Sequence, residues 1–266
     1  MRNISNYLKK KIIEHLKQSA KKKLILRIAN DTEFDLNTIK NLINRFETIQ
    51  TNIPCAHNEF EFFLMYIMLL KLPIEGPIVE LGCYKGGSSA KLSLICELTN
   101  RTLFIFDSFE GLPLPNSEDE LHRVVPWTKN RKEKKYKKGD YSGSIKEVKR
   151  NISNYGCIEV CKFKKGLFKD TLPVFNEKPA SILMDVDLIA SAYTVLKYLW
   201  PKLLSGGIFF THEACDIDLV NAITDYSWWE KNLYQKPPLL YGAGYGISWR
   251  WYDFSFPSNL AYLKKD

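Results

Sequence analysis

The chain has 266 residues, 45% hydrophobic and 26% charged, with 14 Gly and 12 Pro, which is the composition of a globular protein with enough apolar material for one sizeable core. No apolar run approaches the roughly 18 residues of a membrane span, the lysine-bearing start lacks the apolar core of a secretory signal, and the six cysteines form no CxxC pair or zinc-type spacing. The net charge is +8, yet residues 1–30 hold nine basic residues and one acid and so account for all of it, leaving the remainder neutral and arguing against a nucleic-acid-binding main domain.

Residues 3–17 place Ile4, Tyr7, Leu8, Ile12 and Leu16 at helical spacing among lysines, the start of a basic amphipathic helix running to about residue 27. Such a helix is expected either to lie on an anionic membrane surface or to dock on its own domain or a partner subunit. Helices follow near 36–50 and 57–72, the second strongly apolar, completing a helical extension over 1–75. From residue 76 strands and helices alternate, the signature of a mostly parallel α/β sheet covered on both faces. Strands are expected near 77–82, 102–107, 158–163, 180–185, 207–212 and 245–251, with helices near 87–98, 142–154, 188–203 and 216–225. Residues 111–141 interrupt the rhythm with three prolines and a basic run, Lys129 to Lys138, and read as a lid. Cys157 and Cys161, four apart in an apolar stretch, read as buried reduced thiols of a cytoplasmic protein.

The first strand runs into Glu80-Leu81-Gly82-Cys83-Tyr84-Lys85-Gly86-Gly87-Ser88, a glycine turn that opens a helix. Glycines there let the chain turn tightly and a ligand approach without a Cβ, while the helix N-terminus offers free N–H groups to an anionic group. The spacing is neither GxGxxG nor a phosphate loop. Asp107 ends the next strand, 27 residues after Glu80, where an acid would hold a ribose diol. The pair points to a nucleoside cofactor without a diphosphate, and S-adenosylmethionine fits better than a dinucleotide. The expected cofactor residues are Glu80, Gly82, Tyr84, Gly86, Gly87, Ser88, Asp107 and Ser108.

Phe106-Asp107-Ser108-Phe109-Glu110-Gly111-Leu112-Pro113 strongly resembles the DSFEGLP signature of the macrocin O-methyltransferase family. Residues 142–156 and 166–173 (GLFKDTLP, with Leu167 where the family has Trp) agree in order and spacing, so the resemblance covers roughly 76–225. It implies a Rossmann-like class I methyltransferase sheet and methylation of sugar hydroxyls on a saccharide or glycosylated metabolite. The family holds Mg²⁺ with the first Asp of a DGD motif and an Asp-Asp pair about 27 residues on; here Asp185-Val186-Asp187 stands for the first, but the second is His212-Glu213. A divalent ion is therefore expected on Asp185, His212 and Glu213, with the histidine tilting preference from Mg²⁺ toward Mn²⁺, Fe²⁺ or Zn²⁺. Asp187 matches the second Asp of that motif, resembling the family's proposed base; it also suits the N-cap of the helix from 188.

His122, in the lid, is a weaker candidate base, and His57 reads as structural. The aromatic C-terminal stretch (Trp228, Trp229, Tyr234, Tyr241, Tyr245, Trp249, Trp251, Tyr252, Phe254, Phe256) divides between core and a wall for the acceptor. A homo-oligomer is expected. The rival readings are a catechol-like small-molecule O-methyltransferase, a nucleic-acid-binding protein on the same fold, and a cofactor binder without turnover.

Overall fold

A computed structural model describes residues 21–57, 62–117, 136–247 and 258–266, together with 11, 18, 19 and 119. In chain order the elements are α1 (21–31), α2 (Leu36–Asn52), α3 (Phe63–Leu70), β1 (Ile78–Leu81), α4 (Gly87–Leu98), β2 (Leu103–Asp107), α5 (Ile145–Tyr155), a 3₁₀ turn (Ile158–Val160), β3 (Cys161–Lys165), α6 (Phe168–Thr171), β4 (Ser181–Met184), α7 (Ile189–Leu199), β5 (Ile208–Thr211), α8 (Ile217–Ile223), α9 (Tyr226–Leu233) and β6 (Ala261–Lys264).

The sheet runs β3-β2-β1-β4-β5-β6, parallel except for the antiparallel β6. Strands β1, β4 and β5 are buried at every residue, as expected where helices cover both faces. Their alternation sorts side chains into two cores. Ile78, Leu103, Ile105, Leu183 and Phe210 pack with α1–α5, while Val79, Leu81, Phe104, Phe106, Met184 and Phe209 pack with α7–α9. Edge strand β3 turns Lys162, Lys164 and Lys165 to solvent, a charged edge that discourages further strand pairing.

The chain leaves β1 for β2 on one side and returns to β4 on the other. This reversal of strand order opens a crevice at the carboxyl ends of β1 and β4, where open α/β sheets bind ligands. Hydrogen bonds keep the strand ends level: Gly82 N–H donates to Phe106 O (3.0 Å), Asp185 N–H to Leu81 O (2.9 Å) and His212 N–H to Met184 O (2.9 Å).

The last strand differs from expectation. Residues 245–247 belong to a turn in which Gly242, Gly244 and Gly246 all have positive φ, and 248–251 lie outside the described residues. The strand beside β5 is instead 261–264, with Ala261 and Leu263 inward, a four-residue alternation near the C-terminus too short to stand out against the aromatic stretch before it. The C-terminal part of the basic helix docks on its own domain: Leu24, Ile25 and Ile28 join the core and Lys21 Nζ pairs with Glu47 Oε2 at 2.6 Å. Apart from Lys11, residues 3–17 lie outside the described residues, as does His122. All six cysteines are free thiols. Among the described residues no helix is long and apolar enough to cross a membrane.

Candidate active site

A cavity of about 790 Å³ opens at the strand reversal, lined by the ends of β1, β2, β4 and β5, by residues 54–57, and by Tyr136 and Tyr141. One half is the glycine turn. Gly82 has φ +83, and a Cβ there would lie 1.9 Å from Asp185 O; a Cβ on Gly87 would lie 2.2 Å from Cys55 Sγ. The glycines thus let two strands and the 53–57 loop close around the crevice, beyond any need of a ligand. Asp107 reaches across from β2: Oδ2 accepts from Cys83 N–H (2.7 Å) and Oδ1 from Phe109 N–H (2.6 Å). Burial raises its pKa while these amide donors lower it.

Of the residues expected to hold a cofactor, Gly82, Tyr84, Gly87, Ser88, Asp107 and Ser108 line the cavity. Glu80 and Gly86 are not among the lining residues. Glu80 shares the face of Ile78 through the two-residue period of β1, so its carboxyl points beneath α4. It is fully buried, accepts from Ser89 Oγ at 2.5 Å, and is pushed up to about 8 chiefly by desolvation, against the hydroxyls of Ser88 and Ser89 that favour the ionised form. Its place is under the turn, holding the start of α4. Gly86, at φ +84, caps that helix.

The other half is acidic. Asp185 and Asp187 follow β4 and His212 and Glu213 follow β5, so four residues separated by up to 28 positions share one wall. His212 Nδ1 lies 3.4 Å from Asp185 Oδ1. Glu213, 3% exposed, uses Oε1 to accept from Val186 N–H (3.0 Å) and Asp187 N–H (2.9 Å). Burial, with Asp187 and Asp185 nearby, pushes its carboxyl up to about 8. These two bonds hold Asp187 in the left-handed region at φ 60, a costly conformation that Asp tolerates better than most side chains. Tyr136 Oη donates to Asp187 Oδ1.

The metal expectation finds no support in this arrangement. Asp185 and His212 approach each other, while Oε1 of Glu213 is engaged with the backbone of the 186–187 loop. Among the described residues no group of three or more His, Cys, Asp or Glu side chains could hold a metal ion. Nor does Asp187 cap α7. Leu188 occupies the N-cap position, and the first free amide, Ile189 N–H, donates to Asp119 Oδ1 at 2.7 Å.

None of the described C-terminal aromatics lines the cavity. Trp229 is fully buried with Nε1 donating to Ile223 O at 2.7 Å; Trp228 stacks on Tyr193 and Tyr241 on Tyr262. Tyr234 and Tyr245 are exposed, and Trp249, Trp251, Tyr252, Phe254 and Phe256 lie outside the described residues. What the sequence reading missed is His57. Treated there as structural, it lines the cavity with its ring 5.7 Å from that of His212. With 155 positions between the two histidines, no sequence signal could join them.

The sequence profile of the macrocin-O-methyltransferase (TylF) family matches residues 67–235. The chain is 28% identical over 159 residues to mycinamicin III 3''-O-methyltransferase of Micromonospora griseorubida, covering 58% of this chain and 61% of that protein. It is 31% identical over 140 residues to demethyldecarbamoylnovobiocin O-methyltransferase of Streptomyces niveus (50% and 51% covered). A third relative, 8-demethyl-8-(2,3-dimethoxy-alpha-L-rhamnosyl)-tetracenomycin-C 4'-O-methyltransferase of Streptomyces olivaceus, is 29% identical over 187 residues (66% and 66% covered). The matched segments thus span between about half and two thirds of these relatives. Two solved structures share the fold, each with a TM-score of 0.52: the O-methyltransferase NovP (22% identity, 88% of this chain and 81% of that one) and the calicheamicin methyltransferase CalS11 (17% identity, 85% and 92%). The sheet is therefore the Rossmann-like one of class I methyltransferases. With the family profile matched over more than half its length and DSFEGLP at the end of β2, the chain belongs to the macrocin-O-methyltransferase family.

Proposed function

We propose that this chain transfers the methyl group of S-adenosylmethionine to a sugar hydroxyl of a glycosylated small molecule. One observation carries the reading: a single cavity has a nucleoside-type turn, Gly82 with Asp107, on one side and the carboxylates of Asp185 and Asp187 on the other. The names of the relatives support the acceptor class, one being a 4'-O-methyltransferase of a rhamnosyl-bearing tetracenomycin.

The residues present fit the cofactor. Each Asp107 oxygen accepts one backbone amide and keeps capacity for a ribose hydroxyl. The N-terminus of α4, at Gly87 and Ser88, would take a carboxylate through amides left free by the helix. When bound, S-adenosylmethionine supplies an electrophilic methyl carbon on a sulfonium leaving group. The protein then has to place an acceptor oxygen in line with that carbon and remove its proton. Asp187, aimed by Tyr136 and by the Glu213-held loop, takes the proton as the oxygen–carbon bond forms; the Asp185–His212 pair orients the neighbouring hydroxyl. No step is routed through a metal ion.

Titration calorimetry with S-adenosylmethionine and its demethylated product tests the cofactor half. Screening methyl glycosides against catechol, with mass spectrometry of the product, tests the acceptor half. Absence of cofactor affinity would end the reading; methylation of catechol alone would move the acceptor to the small-molecule class.

A further inference from the structure

The loop after α2, within the helical N-terminal extension, forms one wall of the cavity through Pro54, Cys55, Ala56 and His57. We infer that His57 is an acceptor-recognition residue, its imidazole hydrogen-bonding a sugar hydroxyl next to the one that is methylated. The inference rests on the function proposed above and assigns that site a specificity determinant.

Three observations place it. His57 is only 6% exposed, yet neither Nδ1 nor Nε2 has a hydrogen-bond partner among the described residues. Leaving a buried polar atom unpaired costs about 1–3 kcal/mol, so a ring with both nitrogens bare beside a cavity is placed for a ligand that satisfies them. Second, the ring is held still. It stacks on Phe62 with centroids 4.0 Å apart and planes at 21°, and its backbone carbonyl accepts from Gln50 Nε2 at 3.0 Å. Preorganised orientation of this kind suits selection of one hydroxyl geometry. Third, it stands on the acceptor side. The ring lies edge-on to His212 (5.7 Å), which in turn lies beside Asp185.

The chemistry fits a hydroxyl. Burial, with His212 and Lys91 nearby, holds the imidazole well below its usual range, so it is neutral, with one nitrogen donating and the other accepting. A sugar hydroxyl can either donate to the unprotonated nitrogen or accept from the N–H, whereas a cation could use only the first and a carboxylate only the second. Phe62, edge-on to His212 at 5.2 Å and fully buried, backs both rings from the protein interior.

His57→Phe keeps the ring and its stacking while deleting both nitrogens; His57→Gln restores a donor and an acceptor. Each is compared with wild type for affinity toward S-adenosylhomocysteine by calorimetry and for methylation of methyl α-L-rhamnopyranoside, methyl β-D-glucopyranoside and catechol. The nitrogen resonances of the wild-type His57 ring are followed as each glycoside is added to the homocysteine complex. The expected result is unchanged cofactor-product affinity, His57 resonances that shift with at least one glycoside, and a KM for that glycoside raised about 5- to 100-fold in His57→Phe, partly recovered in His57→Gln. Ring resonances unmoved by every glycoside, or a KM unchanged in His57→Phe, would overturn the inference alone. Wild type that fails to bind S-adenosylhomocysteine would overturn the function proposal and this inference with it.

Discussion

Replacing Glu80 by Gln tests whether the acid of the glycine turn belongs to the ligand site or to the protein interior. The carboxyl is fully buried, and its pKa is raised from 4.5 to about 8. Between those values the folded protein keeps a proton that the unfolded chain has lost, so native protons outnumber unfolded ones and stability falls as pH rises. The contribution is fully present below pH 4.5 and gone above about pH 8. At about 1.4 kcal/mol per unit, ionisable Glu80 costs roughly 3 kcal/mol at pH 7 and between about 4 and 5 kcal/mol beyond pH 8, compared with a neutral residue of the same shape. Glutamine is such a residue, and its amide oxygen can still accept from Ser89 Oγ. Glu80→Gln is therefore expected to match wild type within about 1 kcal/mol at pH 5 and to exceed it by roughly 3 kcal/mol at pH 7. Urea unfolding followed by tryptophan fluorescence at pH 5, 6, 7 and 8 measures the difference, and the other titrating groups, Glu213 included, cancel to first order. Affinity for S-adenosylhomocysteine should stay within about threefold, since the side chain does not line the cavity. A stability difference that does not change with pH would refute the burial argument. A collapse of cofactor affinity at unchanged stability would move Glu80 back into the ligand site.

Gly82→Ala forces a non-glycine residue to φ +83 and a Cβ to within 1.9 Å of Asp185 O; we expect a loss of at least about 2 kcal/mol in urea unfolding, together with loss of turnover. Asp107→Ala removes the acceptor for Cys83 and Phe109 amides and the expected ribose partner, so calorimetry should show S-adenosylhomocysteine bound at least about tenfold more weakly. Tyr136→Phe removes the hydroxyl that orients Asp187 and should lower kcat about tenfold while leaving that affinity alone; an unchanged kcat would remove Asp187 from the proton step. Trp229→Ala empties a fully buried site and strands the Ile223 carbonyl, and thermal unfolding should report a cost of about 3–5 kcal/mol with no effect on ligand affinity.

The glycine-turn half of the cavity was legible from local pattern. A strand, a glycine turn and a helix occupy consecutive residues, so Gly82, Gly87 and Ser88 could be placed before any tertiary contact was known, and Asp107 ends the very next strand. The acidic half was only partly legible. That Asp185 and His212 would be neighbours follows from consecutive parallel strands, and β4 does pair with β5. What they would do there did not follow, because it depends on which way the Glu213 carboxyl turns. Its two Oε1 bonds to the 186–187 amides make it the brace of a strained loop. Asp119 capping α7 and Tyr136 meeting Asp187 are long-range pairings made by residues bordering the lid, for which periodicity carries no signal.

By itself the sequence determined the alternation of strands and helices, the glycine bend and the family signature, because each is a pattern within a few dozen residues that backbone sterics and hydrophobic periodicity enforce locally. Tertiary structure alone decided where the buried acids point, which amides they satisfy, and that His57 packs edge-on against His212 at the cavity. Those outcomes turn on side-chain direction and burial between segments far apart in the chain, and neither exists until the sheet has closed against its helices.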